Sequence, residues 1–270
     1  MAAQEPVLLS TTHGRVRLLR LNRPARKNAL NGALGWAIVR AIEEAACDDE
    51  VWVVGITGAG DAFSSGLDLG PPDSEERASP LSIQQEQTDE LGWVGRLPGM
   101  MREQCEKPVV AGVNGVAVGA GFSVAMAADI RLASDRARFL AGYARAGTSP
   151  DGGLTWTLAQ SIGYEKALRV LLEGEMIAAQ DALARGIVSE VIPHAEFEDR
   201  FLGYCTSLAK VSPIAARQTK RMLGRAAFAT RLDTHAREEL VNARRGLATE
   251  DAAEARKAIL EKRPPEFRGR

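Results

Sequence analysis

The chain has 270 residues, of which 45% are apolar and 26% charged, with a formal net charge of −1. That length allows one large domain, or one domain with a small appendage, and a sizeable buried core. Near-neutrality supplies no global field for nucleic acid or an anionic membrane. The three scattered cysteines, Cys47, Cys105 and Cys205, suit a reducing cytoplasm better than a disulfide scaffold.

The opening "MAAQEPVLLS" lacks the basic start and the long apolar run of a secretory signal. "RVRLLRL" (15–21) alternates enough to predict a strand. "NGALGWAIVRAIEEAAC" (31–47) carries Leu34, Ile38 and Ile42 at helical spacing. "VWVVGIT" (51–57) and "PVVAGV" (108–113) are uninterrupted apolar runs, the pattern of parallel strands buried on both faces. Polar, proline-bearing "GPPDSEERASP" (70–80) is expected to be a mobile loop. Residues 108–128 carry no charge and are long enough to span a bilayer, but Asn114 and four glycines interrupt them. Buried strand, turn and helix is the reading favoured there.

"IRLASDRARF" (130–139) predicts a pair of short extended segments, and "GIVSEVI" (186–192) a late strand. From about residue 195 the composition turns to Ala, Arg, Glu and Leu. Three helical stretches follow, 213–228, 232–248 and 249–263, the last stopped by Pro264 and Pro265. The expectation is an α/β core over 1–194 and a helical region over 195–270.

Several familiar chemistries find no support. "GAGFSV" (119–124) lacks the third glycine of a dinucleotide fingerprint and its downstream acid. No phosphate-binding P-loop or nucleophile elbow is present. Ser64 and Ser65 have no histidine placed as a base. His13, His194 and His235 have no metal-ligand spacing, so no metal is expected. Two glycine-bearing stretches, 58–70 and 114–134, follow predicted buried strands, and the second runs straight into a helix. Glycine there lets backbone N–H groups approach a developing negative charge; tight packing is the competing explanation.

"LNRPARKNAL" (21–30), "VGITGAGDAFSSGLDL" (54–69), "KPVVAGVNGVAVGAG" (107–121), "ADIRLASDRARF" (128–139), "GTSPDGG" (147–153) and "TEDAAEARKAILEKRPPEFRG" (249–269) occur in that order. Together they resemble the crotonase (enoyl-CoA hydratase/isomerase) superfamily nearly end to end. The resemblance implies an α/β fold, a crotonase (ClpP-like) spiral of ββα units with a helical C-terminal layer. It implies an acyl-CoA thioester as ligand, with no cofactor beyond the coenzyme A of the substrate. It also implies a homotrimer or dimer of trimers in the cytoplasm, without nucleic-acid or membrane partners. An oxyanion hole would come from the backbone N–H groups of Leu67 and Ala120. CoA would lie near Ala29 and near Gly66, Asp68 and Leu69, and Lys262 or Arg263 would reach its phosphates. Tyr143, with Trp93 and Trp156, would give the acyl pocket tolerance of aromatic groups, with core packing the competing role.

The chain departs from the hydratase pattern of two glutamates. The matching positions hold Ser123 and Tyr143. Isomerases of the family instead carry an acid at the position of Asp151. Moving a double bond beside a thioester needs a proton removed at one carbon and returned at another. One carboxylate can do both if the dienolate oxygen is held. The expected activity is therefore enoyl-CoA isomerisation by Asp151. The alternatives are a hydratase with unusual acid placement and a non-catalytic acyl-CoA binder. A role for Asp151 as N-cap of a helix starting near Gly152 competes with the catalytic one.

Overall fold

A computed structural model describes residues 5–70 and 79–270. The mobility expected for the 70–80 stretch falls mostly on residues outside that set. β1 (Leu8–His13) and β2 (Val16–Leu21) form an antiparallel hairpin. α1 (Gly32–Cys47) follows, started by Asn31, whose side chain accepts from Leu34 N at 3.0 Å. Its Leu34, Ile38 and Ile42 are fully buried; each such side chain contributes roughly 1.5–3 kcal/mol.

Three units then repeat one pattern, strand, strand, helix. The first is β3 (Val53–Gly58) and β4 (Ala62–Ser64) with α2 (Ile83–Thr88) and α3 (Gly92–Gly99). Next come β5 (Val109–Val113), β6 (Val116–Val118) and α4 (Ala120–Ala127). The third is β7 (Ile130–Ser134) and β8 (Arg138–Leu140) with α5 (Leu154–Ile162) and α6 (Tyr164–Glu173). β9 (Ile177–Ala178), α7 (Ala179–Arg185) and β10 (Glu190–Ile192) complete the sheets.

Each unit sends its first strand to one sheet and its second to another. The six-stranded sheet runs β1-β2-β3-β5-β7-β10, parallel apart from the β1–β2 hairpin. The four-stranded sheet runs β4-β6-β8-β9. This is the ββα spiral expected of the sequence. The uncharged 108–128 segment is β5, β6 and α4, and no helix among the described residues is long and apolar enough to cross a membrane.

Two expectations need correction. The late strand is confined to Glu190–Ile192 because Gly186, at φ 85°, caps the end of α7, and Ile187 and Val188 turn into the core. The C-terminal region also holds a fourth helix. α8 (Phe197–Leu208) precedes α9 (Pro213–Ala226), α10 (Leu232–Leu247) and α11 (Glu250–Glu261). Phe197, Phe201 and Cys205, four residues apart, share one face of α8. They pack on Val16, Leu18, Val53, Val110 and Leu132, behind the six-stranded sheet.

Candidate active site

β4, β6 and β8 are neighbours, and each pair runs parallel. Their C-terminal ends therefore leave the sheet together, and each delivers one part of a site. After β4 comes Gly66-Leu67, after β6 comes Gly119-Ala120, and after β8 comes the stretch from Tyr143 to Asp151. Gly119 N donates to Leu140 O at 2.9 Å and stitches the last two exits together.

Gly66 shows why the first loop needs glycine. Its φ is +96°, and a Cβ there would stand 2.6 Å from Val118 O and 3.7 Å from Ala120 N. Residues 66 and 120 are thus pressed together. Leu30 N donates to Gly66 O (2.7 Å) and Asp68 N to Leu30 O (2.9 Å), so Leu67 sits in a short bridge against Leu30. That pairing leaves the Leu67 N–H pointing away from Leu30. Ala120 is the first residue of α4, where helix geometry leaves N–H groups without an intrahelical acceptor. No main-chain acceptor engages either N–H among the described residues. Two free donors at adjoining turns suit a developing oxyanion. The Leu67 side chain is 53% exposed and leaves the donor role to the backbone.

Asp151 lies on the rim of a narrow cleft lined also by Trp93, Leu97, Ala120, Ser123 and Gly152. It does not cap a helix. α5 begins at Leu154 with Gly153 as N-cap and no side-chain cap bond. Gly152 and Gly153 both take positive φ, and a Cβ on Gly152 would stand 2.9 Å from Ser123 Cβ. The glycine pair therefore lets the acid-bearing loop close onto α4. The Asp151 carboxylate instead accepts a hydrogen bond from Tyr143 Oη at 2.6 Å. Tyr143 Oη lies 2.9 Å from Ser123 Oγ, and Ser123 Oγ donates to Asp151 O at 3.1 Å. Burial first, and the Asp151 carboxylate second, push the Tyr143 phenol well above its ordinary range.

The residues expected near CoA divide by location. Ala29 is buried beside the Leu30–Leu67 bridge, and its carbonyl accepts from Arg23 Nη1 at 2.5 Å. Asp68 is ion-paired with Arg23 at 2.8 Å. The Gly70 N–H, then Arg23, hold its carboxyl below the usual carboxylate range. Its side chain is thus committed inside the protein. Leu69 is 90% exposed. Of the two cations at the end of α11, Arg263 pairs with Glu254 and Glu261, whereas Lys262 is exposed. Trp93 lines the Asp151 cleft, but Trp156 does not. Trp156 stacks on Phe228 with ring centres 5.6 Å apart, beside a wider apolar groove under α9.

Two asparagines that composition alone did not single out hold the turns. Asn28, fully buried, accepts from Arg23 N and donates to Ala59 O and Ala62 O. Asn114 accepts from Gly58 N and donates to Gly60 O. The Asn-Gly pair after β5 was the available signal for the second. Among the described residues no group of three or more His, Cys, Asp or Glu is arranged to hold a metal.

Residues 11–270 match the family model described as enoyl-CoA hydratase/isomerase. A 2,3-dehydroadipyl-CoA hydratase of Escherichia coli is 36% identical over 97% of this chain and 99% of its own. Enoyl-CoA delta isomerase 2 of Rattus norvegicus is 32% identical over 82% of this chain and 55% of its own. The crystal structure of an enoyl-CoA hydratase from Bacillus anthracis superposes with a TM-score of 0.85 at 28% identity. It covers 98% of this chain and 100% of that one.

Proposed function

The chain belongs to the enoyl-CoA hydratase/isomerase family, and on that premise we propose that it is an enoyl-CoA isomerase with Asp151 as its single acid–base. One observation carries this reading. Among the described residues lining the cleft beside Ala120, Asp151 is the only carboxylate, and the paired-glutamate positions hold Ser123 and Tyr143. The Leu67 and Ala120 N–H groups take the thioester oxygen. Asp151 removes a proton from C2 of a 3-enoyl thioester, and the C–H electron pair becomes a C1–C2 double bond as the carbonyl pair moves onto oxygen, giving a dienolate whose C2–C3 double bond forms when C4 is protonated and the carbonyl returns. The same carboxyl then returns the proton at C4. The oxygen charge that rises and falls in this sequence is held by backbone dipoles that need no reorganisation.

A hydratase reading draws on the names of the relatives, the E. coli protein above all. Hydration must activate a water and also protonate a carbon, which two acids serve better than one. Turnover on 3-enoyl-CoA and on 2-enoyl-CoA separates the readings. Isomerisation should exceed hydration by roughly 10² or more, a factor typical of a positioned acid–base. Hydration as the faster reaction would overturn the proposal, and silence on both substrates would favour a binder without chemistry.

Assembly as a trimer belongs to the same proposal. Leu232, Leu240, Val241, Leu247, Ile259 and Leu260 on α10 and α11 are all exposed in the single chain, apolar surface that a neighbouring copy would cover. Light scattering at micromolar concentration should give three or six chains per particle; a monomer would count against it.

A further inference from the structure

We infer that Tyr143 and Ser123 form a positioning relay that keeps one oxygen of Asp151 occupied and leaves the other to carry the proton. This rests on the assignment of Asp151 as the acid–base and adds a role for two residues that the acid–base assignment leaves idle.

The geometry gives the relay a direction. Tyr143 Oη has one hydrogen, and an ionised carboxylate can only accept, so the 2.6 Å bond runs from Tyr143 to Asp151 Oδ1. Oη can then only accept at its other contact, 2.9 Å from Ser123 Oγ. Ser123 has one hydrogen and three places for it, Tyr143 Oη at 2.9 Å, the Asp151 carbonyl at 3.1 Å and, one turn back in its own helix, the longer contact to the Gly119 carbonyl at 3.4 Å. With its hydrogen on Tyr143, the three groups form one chain, Ser123 to Tyr143 to Asp151, in which each bond polarises the next. With its hydrogen on the carbonyl, Ser123 still ties α4 to the backbone of the acid-bearing residue. In the first arrangement Asp151 is held at its carboxylate through Tyr143; in the second its carbonyl is held as well.

The elements that hold it are rigid. The Tyr143 ring is in the main core, and Ser123 lies in α4, whose residues are all buried. Asp151 itself sits in an irregular, exposed loop with a glycine pair behind it. A loop carboxylate free to rotate would present either oxygen in many directions, and the relay removes that freedom. Because burial keeps the phenol protonated, Tyr143 remains a donor throughout the working pH range. Among the described residues lining the cleft, from α3, α4 and the loop itself, no titratable side chain other than Asp151 is present; Tyr143 reaches it from behind.

The relay is tested by Tyr143→Phe and Ser123→Ala, assayed for isomerisation from acid to neutral pH beside Asp151→Asn. Removing a donor from a carboxylate makes it easier to protonate. In Tyr143→Phe the acid limb of kcat/KM should move to higher pH. kcat should fall by roughly tenfold while KM changes little. Ser123→Ala should shift the limb the same way by less, and it decides the question alone if Tyr143→Phe does not fold. A limb that stays at the parent pH in a folded Tyr143→Phe enzyme, or in Ser123→Ala if that is the variant available, overturns the relay. If instead Asp151→Asn keeps the parent rate, the acid–base assignment itself has failed, which is a separate and distinguishable result.

Discussion

Asp151→Asn should isomerise 3-enoyl-CoA roughly 10² to 10⁴ times more slowly than the parent enzyme, the usual loss for a general acid–base. Asparagine is close in size and keeps an oxygen able to accept from Tyr143 Oη, so the local hydrogen bond survives. What is lost is the capacity to take up and return a proton. Stability should be almost unchanged, because α5 is capped by the backbone of Gly153 and takes no bond from the Asp151 side chain. The two measurements separate chemistry from folding. A variant that melts with the parent and turns over with the parent would end the assignment of Asp151.

Ala120→Pro should cost a factor of about 10² to 10³ in turnover, the scale found when one oxyanion donor is deleted. Proline has no N–H, and Ala120 stands at the first position of α4, where a fixed φ near −65° is welcome. Gly119, the residue before it, has no Cβ to clash with the ring. The fold should therefore survive a substitution that removes one of the two donors. Leu67→Ala is the control, since it alters a 53% exposed side chain and keeps the donor; it should retain activity within a few-fold of the parent. A folded Ala120→Pro enzyme with full activity would remove Ala120 from the oxyanion hole.

The parts of this protein that could be read from the sequence are those set by local rules. α1 announced itself by apolar residues at helical spacing, and β5 by an uninterrupted apolar run. α8 escaped because its buried face is sparse, three residues spaced four apart, and reads as a helix only once a sheet is there to receive it. The 186–192 strand was overextended because Ile187 and Val188 are apolar for burial in the core, not for pairing in the sheet. In the candidate site, Leu67, Ala120 and Asp151 were suggested by resemblance and not by spacing. Their convergence depends on β4, β6 and β8 emerging side by side. The Ser123–Tyr143–Asp151 chain was invisible for the same reason. Its members lie on a helix, a turn and a loop, and nothing local says that Gly152 closes on Ser123.

The packing of α8 also bears on how the chain is made. Val16 and Leu18 leave the ribosome early, yet the side chains that cover them, Phe197, Phe201 and Cys205, are roughly 180 residues or more behind. At about 5–20 residues per second, that interval is on the order of ten seconds or more. Throughout it Leu67, Ala120 and Asp151 are emerging in turn, while the apolar back of the six-stranded sheet has nothing to lie against. A nascent chain stalled just before Phe197 would carry every residue of the site and still present a sticky sheet face to its neighbours. Synthesis of this protein is thus most exposed to aggregation when its candidate site is already written out, and a chaperone that binds apolar strands would have its work in that window.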